Sequence, residues 1–164
     1  MTLLALDAAV RETGWAVFNP GGIIQTGIIR MSKSRDPDAA GRVNHLVRNL
    51  DLLVERWHPG TVAYGQPSGM RWPVPSLELL DNSLINWSER HRLPLFTYSA
   101  QEVRAALSSH ARVPQDQLAF AIMRRMGLIG ARKSTHEWEA MAIGYYHLCR
   151  YSRGLQVESK RDEG

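Results

Sequence analysis

The sequence predicts an α/β domain: a five-stranded mixed sheet, three antiparallel strands followed by two parallel ones, flanked by helices. Three observations predict it. Short apolar runs separated by tight turns fill the first thirty residues, which is the pattern of an antiparallel meander. A long stretch of helical periodicity then separates the meander from the next apolar run. A strand reached through such a helix has the crossover it needs to join the sheet in parallel.

The first strand is the run Leu3-Leu4-Ala5-Leu6, closed by Asp7. Unbroken apolar character points to burial on both faces. Residues 13–18 form the second strand, Asn19-Pro20-Gly21-Gly22 the turn, and 23–29 the third strand. Asp36-Pro37 has the form of an N-cap followed by proline at the first helical position. From Ala39 the apolar residues Val43, Leu46, Val47, Leu50, Leu53, Val54 and Trp57 mark one helical face, and His58-Pro59-Gly60 ends the helix. Thr61-Val62-Ala63-Tyr64 is the fourth strand. A second helix covers 76–92, a fifth strand 94–98, a third helix begins at Ser99 or Ala100, and a fourth covers 114–126 and stops at Gly127. Ser134 and Glu137 stand at capping-box spacing and open the last helix, whose buried stripe is Trp138, Met141, Ala142, Tyr145, Leu148 and Cys149.

At 164 residues the chain is the size of one domain. That domain is expected over 1–152, with a polar tail, 153–164, expected to be disordered. Hydrophobic content of 44% and charged content of 22% are ordinary globular values. The formal net charge of +4 and the pI near 9.6 favour a polyanionic partner. Seventeen of the twenty basic residues are Arg, which suits bidentate phosphate contacts. Cys149 is the only cysteine, so no intrachain disulfide forms. With no apolar run long enough to span a bilayer, a cytoplasmic protein with no membrane partner is expected.

Asp7, at a strand end beside small residues, stands where a metal-binding acid sits, although aspartate is also common in turns. Position 65 opens the loop 65–74 at the C-terminal end of a parallel strand, where such sheets bind ligands. In that loop Met70, Arg71 and Trp72 can stack on or wedge between bases, or can cover the core. The second helix carries Leu77, Leu80, Leu84, Trp87 and His91 on one face, with Leu79 and Ile85 beside it. So broad an apolar surface suggests a homodimer interface through 76–92. His136 and Glu139, three residues apart on the last helix, are near enough to share a ligand.

The ordered set of Asp7, the strand at 62–64, Tyr98-Ser99-Ala100-Gln101-Glu102-Val103-Arg104 and the run His136-Glu137-Trp138-Glu139-Ala140-Met141-Ala142-Ile143-Gly144 resembles the RuvC family of Holliday-junction resolvases. The likeness extends from Leu3 to His147. It implies the ribonuclease H-like fold and a homodimeric, metal-dependent endonuclease that nicks four-way DNA junctions, with two Mg²⁺ ions, or Mn²⁺, as cofactor. On the family's pattern the metal ligands fall on Asp7, His136 and Glu139. The remaining ligand, a Glu in a Glu-Gln run, falls on Gly65, which has no side chain. Gln66 points to the other face. Glu78 and Asp81 are acids near enough in sequence to substitute, though solvated helix charges is the plainer reading of both. Loss of a carboxylate there should slow cleavage by orders of magnitude and leave DNA binding intact. The alternative function is therefore a catalytically impaired, structure-specific DNA-junction-binding protein. Arg71, Arg104, Arg112, Arg124, Arg125, Arg132 and Lys133 are the expected phosphate contacts, with scattered solubilising charge as the other reading of each.

Overall fold

The structure, a computed structural model, describes residues 1–9, 11–31, 38–66, 75–108, 115–128 and 130–161, with the side chains of 108, 115–120 and 152–161 outside that description. Chain order is β1 (Leu3–Asp7), β2 (Glu12–Asn19), β3 (Gly22–Arg30), α1 (Ala39–Trp57), β4 (Thr61–Gln66), α2 (Pro75–Arg90), β5 (Leu95–Ser99), α3 (Ala100–Ser108), α4 (Gln115–Met126) and α5 (Thr135–Arg161). The strands lie side by side as β3-β2-β1-β4-β5. β1 and β3 pair antiparallel with β2, while β4 runs parallel to both β1 and β5. This is the mixed sheet the sequence predicts.

Alternation along the strands divides the core in two. Leu4 and Leu6 of β1 face Val43, Leu46 and Leu50 of α1 and Leu80, Leu84 and Trp87 of α2. Leu3 and Ala5 face the opposite way, toward Val103 and Leu107 of α3, Ile122 of α4 and Trp138, Met141 and Ala142 of α5. β1 is thus covered on both sides, which explains its unbroken apolar run. The third layer brings α5 from the far end of the chain onto the first strands.

Two sequence expectations change. The N-cap of α1 is Asp38, whose carboxylate accepts from the Gly41 N–H at 2.7 Å, whereas Asp36 and Pro37 lie outside the described residues. The backbone donor it satisfies is three positions further on, the capping geometry itself. α5 is drawn as far as Arg161. Good helix formers such as Leu155, Gln156, Glu158 and Lys160 continue α5 without a proline to stop it. Leu80, Leu84 and Trp87 are sealed inside this subunit, so the apolar face of 76–92 is mostly its own core, and Leu79 and Ile85 are what it leaves exposed. Finally, the tip of the supposed site wall, 67–74, lies outside the described residues.

A polar knot fixes α1 to α2. Asp51 Oδ1 accepts from Trp87 Nε1 at 3.1 Å and Arg90 Nη2 at 3.0 Å, and lies 2.7 Å from His91 Nε2. Burial pushes the Asp51 carboxyl up, but the His91 and Arg90 contacts outweigh it and hold the group below its usual range.

Candidate active site

The site is built where β1 ends. Asp7 pairs in register with Gly14 of β2 on one side and Gly65 of β4 on the other. α5 occupies the room both glycines leave. A side chain at Gly14 would stand 2.0 Å from the His136 carbonyl oxygen, so only glycine lets the first turn of α5 rest on β2. A side chain at Gly65 would stand 2.3 Å from Ile143 Cδ1. The Ser134–Glu137 capping box sets where α5 begins: the Ser134 N–H donates to Glu137 Oε2 at 2.8 Å and the Glu137 N–H to Ser134 Oγ at 3.2 Å. Glu137 also accepts from Thr26 Oγ1 at 2.9 Å, which ties that turn to β3.

So seated, α5 puts His136 Nδ1 2.6 Å from Asp7 Oδ2, a contact between residues 129 apart in the chain. The hydrogen bond to Asp7 raises the His136 pKa above the usual imidazole value. Burial acts against the rise, and the charges of Asp7, Glu12 and Glu139 reinforce it. Glu139, on the next turn, is engaged elsewhere: its Oε1 accepts from Arg104 Nη2 at 2.5 Å. Burial pushes the Glu139 carboxyl up, the Arg104 hydrogen bond and charge pull it down, and the net shift is upward.

Asp7 and His136 are therefore brought together and Glu139 is placed one turn away, but paired with a guanidinium. Among the described residues no three His, Cys, Asp or Glu side chains converge as an ion cage. Two carboxylates and an imidazole are the donor chemistry of one divalent ion. They do not make the two-ion set the family resemblance implies, because Gly65 offers no donor and Ile143 fills its space. Asp81 does not replace it. Tyr64, facing the α1–α2 side, donates its hydroxyl to Asp81 Oδ1; burial, and after it this hydrogen bond, push the phenol well above its usual pKa, and this acid belongs to the opposite face of the sheet. Glu78 is exposed on α2.

The expected phosphate contacts separate as well. Arg132 is exposed just before α5, and Arg124 is exposed on α4. Lys133 is half-buried, its Nζ donating to Thr26 Oγ1 at 2.7 Å, so it braces the start of α5. Arg125 is at the wrong end: it lines a groove with Asn19, Pro20 and Gly21 of the β2–β3 turn, opposite the end of the sheet that carries Asp7. There it donates to the Leu107 carbonyl at 3.1 Å and covers the Tyr145 ring at 5.8 Å. Met70, Arg71, Trp72 and Arg112 lie outside the described residues. Sequence reading missed Gly14 and Ile143, which carry no chemistry. It also missed Glu12, whose period-2 relation to Gly14 puts it on the face of His136.

A mixed sheet in this order, with an acid at the end of its central strand facing a C-terminal helix, defines the ribonuclease H-like class. Comparison with known proteins narrows the class. No protein-family model matches the chain. The crossover junction endodeoxyribonuclease RuvC of Frankia casuarinae is 25% identical over 156 residues, 92% of this chain and 90% of that one. The RuvC of Chlorobium chlorochromatii is 24% identical, over 97% of this chain and 83% of its own. Among solved structures, Thermus thermophilus RuvC in complex with a Holliday junction substrate superposes with a TM-score of 0.80 at 19% identity, covering 94% of this chain and 96% of that one. The yeast mitochondrial Holliday junction resolvase Ydc2 gives 0.56 at 12% identity, over 91% and 83%. The chain is thus similar to RuvC resolvases over nearly its full length and shares their fold.

Proposed function

We propose that this chain is a Holliday-junction-resolving endonuclease of the RuvC type. It hydrolyses phosphodiesters in four-way DNA junctions, and the residues that would hold its divalent ion are Asp7 and His136, already in contact, and Glu139, paired with Arg104. The observation that carries the reading is the Asp7–His136 contact at the end of the central strand, in a chain that RuvC enzymes match over nearly its full length. Mg²⁺ is the expected ion, with Mn²⁺, which accepts imidazole more readily, as its substitute. When bound, the ion supplies Lewis-acid stabilisation of charge on the scissile phosphate.

The chain's own groups do the rest. Asp7 and Glu139 provide hard oxygen donors, and His136 presents its Nδ1 beside Asp7. Arg104, one quarter exposed beside Glu139, is placed to hold a non-bridging phosphate oxygen. Arg132 before α5 and Arg124 on α4 add phosphate contacts without reading sequence, together with Met70, Arg71, Trp72 and Arg112 from the segments outside the described residues. Branched DNA is the partner. A homodimer through the helix at 76–92, with exposed Leu79 and Ile85 as its apolar contribution, gives one active site per cut strand. Among the described residues no helix is long and apolar enough to cross a membrane, and the site of action we propose is the cytoplasm.

A second reading, a junction-binding protein that does not cut, is favoured by one observation: Ile143 occupies the space of the missing ligand. A labelled four-way junction incubated with Mg²⁺ or Mn²⁺ separates the two. Under the leading reading the chain makes paired symmetric nicks and Asp7→Asn abolishes them. If the chain binds junctions without nicking them, and Gly65→Glu combined with Ile143→Ala restores nicking, the second reading holds. Should neither protein cut, the nuclease is refuted.

A further inference from the structure

We infer that Thr26, on the edge strand β3, is a positioning residue for the candidate active site: it holds the first turn of α5 in the orientation that brings His136 onto Asp7. The inference rests on the nuclease reading above for its effect on cleavage. It starts from the sheet order. β2 lies between β3 and β1, and the first turn of α5 sits over this middle strand, at Gly14, where a side chain would stand 2.0 Å from the His136 carbonyl oxygen. From that seat two consecutive residues reach to opposite sides. His136 reaches β1, with its Nδ1 2.6 Å from Asp7 Oδ2. Glu137 reaches β3, where its Oε1 accepts from Thr26 Oγ1 at 2.9 Å.

The two holds do different things. The seat on Gly14 fixes how closely the turn lies on the sheet, but not how the helix is rolled about its own axis. At 3.6 residues per turn, consecutive side chains stand about 100° apart around that axis, so holding Glu137 sets the direction of His136. A roll through part of this angle would carry the imidazole off Asp7. Thr26 opposes the roll from outside the site, on a strand that contributes no acid to it.

The clamp also has a fixed sense. Thr26 pairs in register with Ala16 of β2, which is buried in the layer beneath α5, so its side chain projects on the α5 face. Lys133 Nζ, which can only donate, gives a hydrogen to Thr26 Oγ1 at 2.7 Å. An ionised carboxylate can only accept, so the hydroxyl hydrogen of Thr26 is directed at Glu137. Both bonds have a charged group at one end, which strengthens them. Glu137 is held at its other oxygen too, since Oε2 accepts from the Ser134 N–H at 2.8 Å. A β-branched residue, stiff at χ1, keeps the bridge from swinging. One hydroxyl thus joins β3, the residue pair before α5 and the first turn of α5 itself.

The test follows His136 directly, in the full chain carrying ¹³C-labelled histidine. The ring resonance of His136 is the one lost in His136→Gln, and Asp7→Asn gives its position once the contact is broken. Thr26→Val keeps the branched shape and removes the hydroxyl, whereas Thr26→Ser keeps the hydroxyl. We expect the His136 resonance of Thr26→Val to move toward its Asp7→Asn position while the other histidines stay in place, and that of Thr26→Ser to stay with the unmodified chain. In single-turnover cleavage of a four-way junction, Thr26→Val should lose about 10- to 100-fold in rate at unchanged junction affinity, and Thr26→Ser should recover it. An unmoved His136 resonance in folded Thr26→Val would overturn the inference, and so would a rate loss that Thr26→Ser does not restore. If the resonance moves but the unmodified chain cuts no junction, the nuclease reading fails and the positioning of His136 stands. Should Thr26→Val not fold, Lys133→Met withdraws the donor that orients the hydroxyl, and an unmoved His136 resonance in that variant overturns the inference as well.

Discussion

The contact between Gly65 and Ile143 can be measured directly by a double-mutant cycle. A methyl group added at position 65 would stand 2.3 Å from Ile143 Cδ1 and 3.1 Å from Cγ1, whereas carbon atoms rest at about 3.5–4.0 Å. The Cδ1 overlap exceeds an ångström, so Ile143 must leave its rotamer or α5 must lift. Overpacking of this size costs about 1–3 kcal/mol, offset by about 0.4–1 kcal/mol from the reduced freedom of the unfolded chain. Gly65→Ala should therefore destabilise by about 1–2 kcal/mol. Ile143→Val deletes Cδ1 and by itself costs about 0.5–1.5 kcal/mol. In the double variant the methyl at 65 enters the space that Cδ1 vacated, so most of the Gly65→Ala penalty disappears. Urea unfolding followed by tryptophan fluorescence reads each corner of the cycle, and with a slope of about 2 kcal/mol per molar the Gly65→Ala midpoint falls by about 0.5–1 M. The expected coupling is about 1–2 kcal/mol. Additivity within about 0.5 kcal/mol would mean that Ile143 does not fill this space.

Three further outcomes are expected. Gly14→Ala places its methyl 2.0 Å from the His136 carbonyl, a backbone atom that cannot rotate away; a loss of about 3 kcal/mol and of junction cleavage should follow, and a stable, active variant would contradict the seating of α5. His147, buried and 2.7 Å from the Tyr98 hydroxyl, has its pKa lowered by burial from the usual 6.5. The unfolded chain therefore takes the proton first, and the stability tied to neutral His147 is complete above about pH 6.5 and declines as pH falls toward the lower folded value. His147→Gln should flatten the urea midpoint between pH 7 and 5, and an unchanged slope would refute the assignment. Asp51→Ala removes the acceptor shared by Trp87, Arg90 and His91; about 1–3 kcal/mol of stability should be lost with junction affinity unchanged, since this knot lies on the other face of the sheet, and weakened junction binding by the folded variant would argue against that separation.

The sequence alone determined the sheet, the helices and the identity of the acids, because each is written in local chemistry. Alternation and turn residues mark the meander, 3.6-residue periodicity marks α1, and a Ser-to-Glu spacing marks the start of α5. Asp7 and His136 were legible as candidates for the same reason: both carry chemistry at the end of an element. Only the tertiary structure decided which of these groups meet. It joined Asp7 to His136, gave Glu139 to Arg104, sent Arg125 to the opposite end of the sheet and turned the apolar face of α2 inward. It also gave Gly14 and Gly65 their meaning. A glycine's role in close packing lies in what occupies the space beside it, and here that is a helix more than seventy residues further along the chain, beyond the reach of any local pattern.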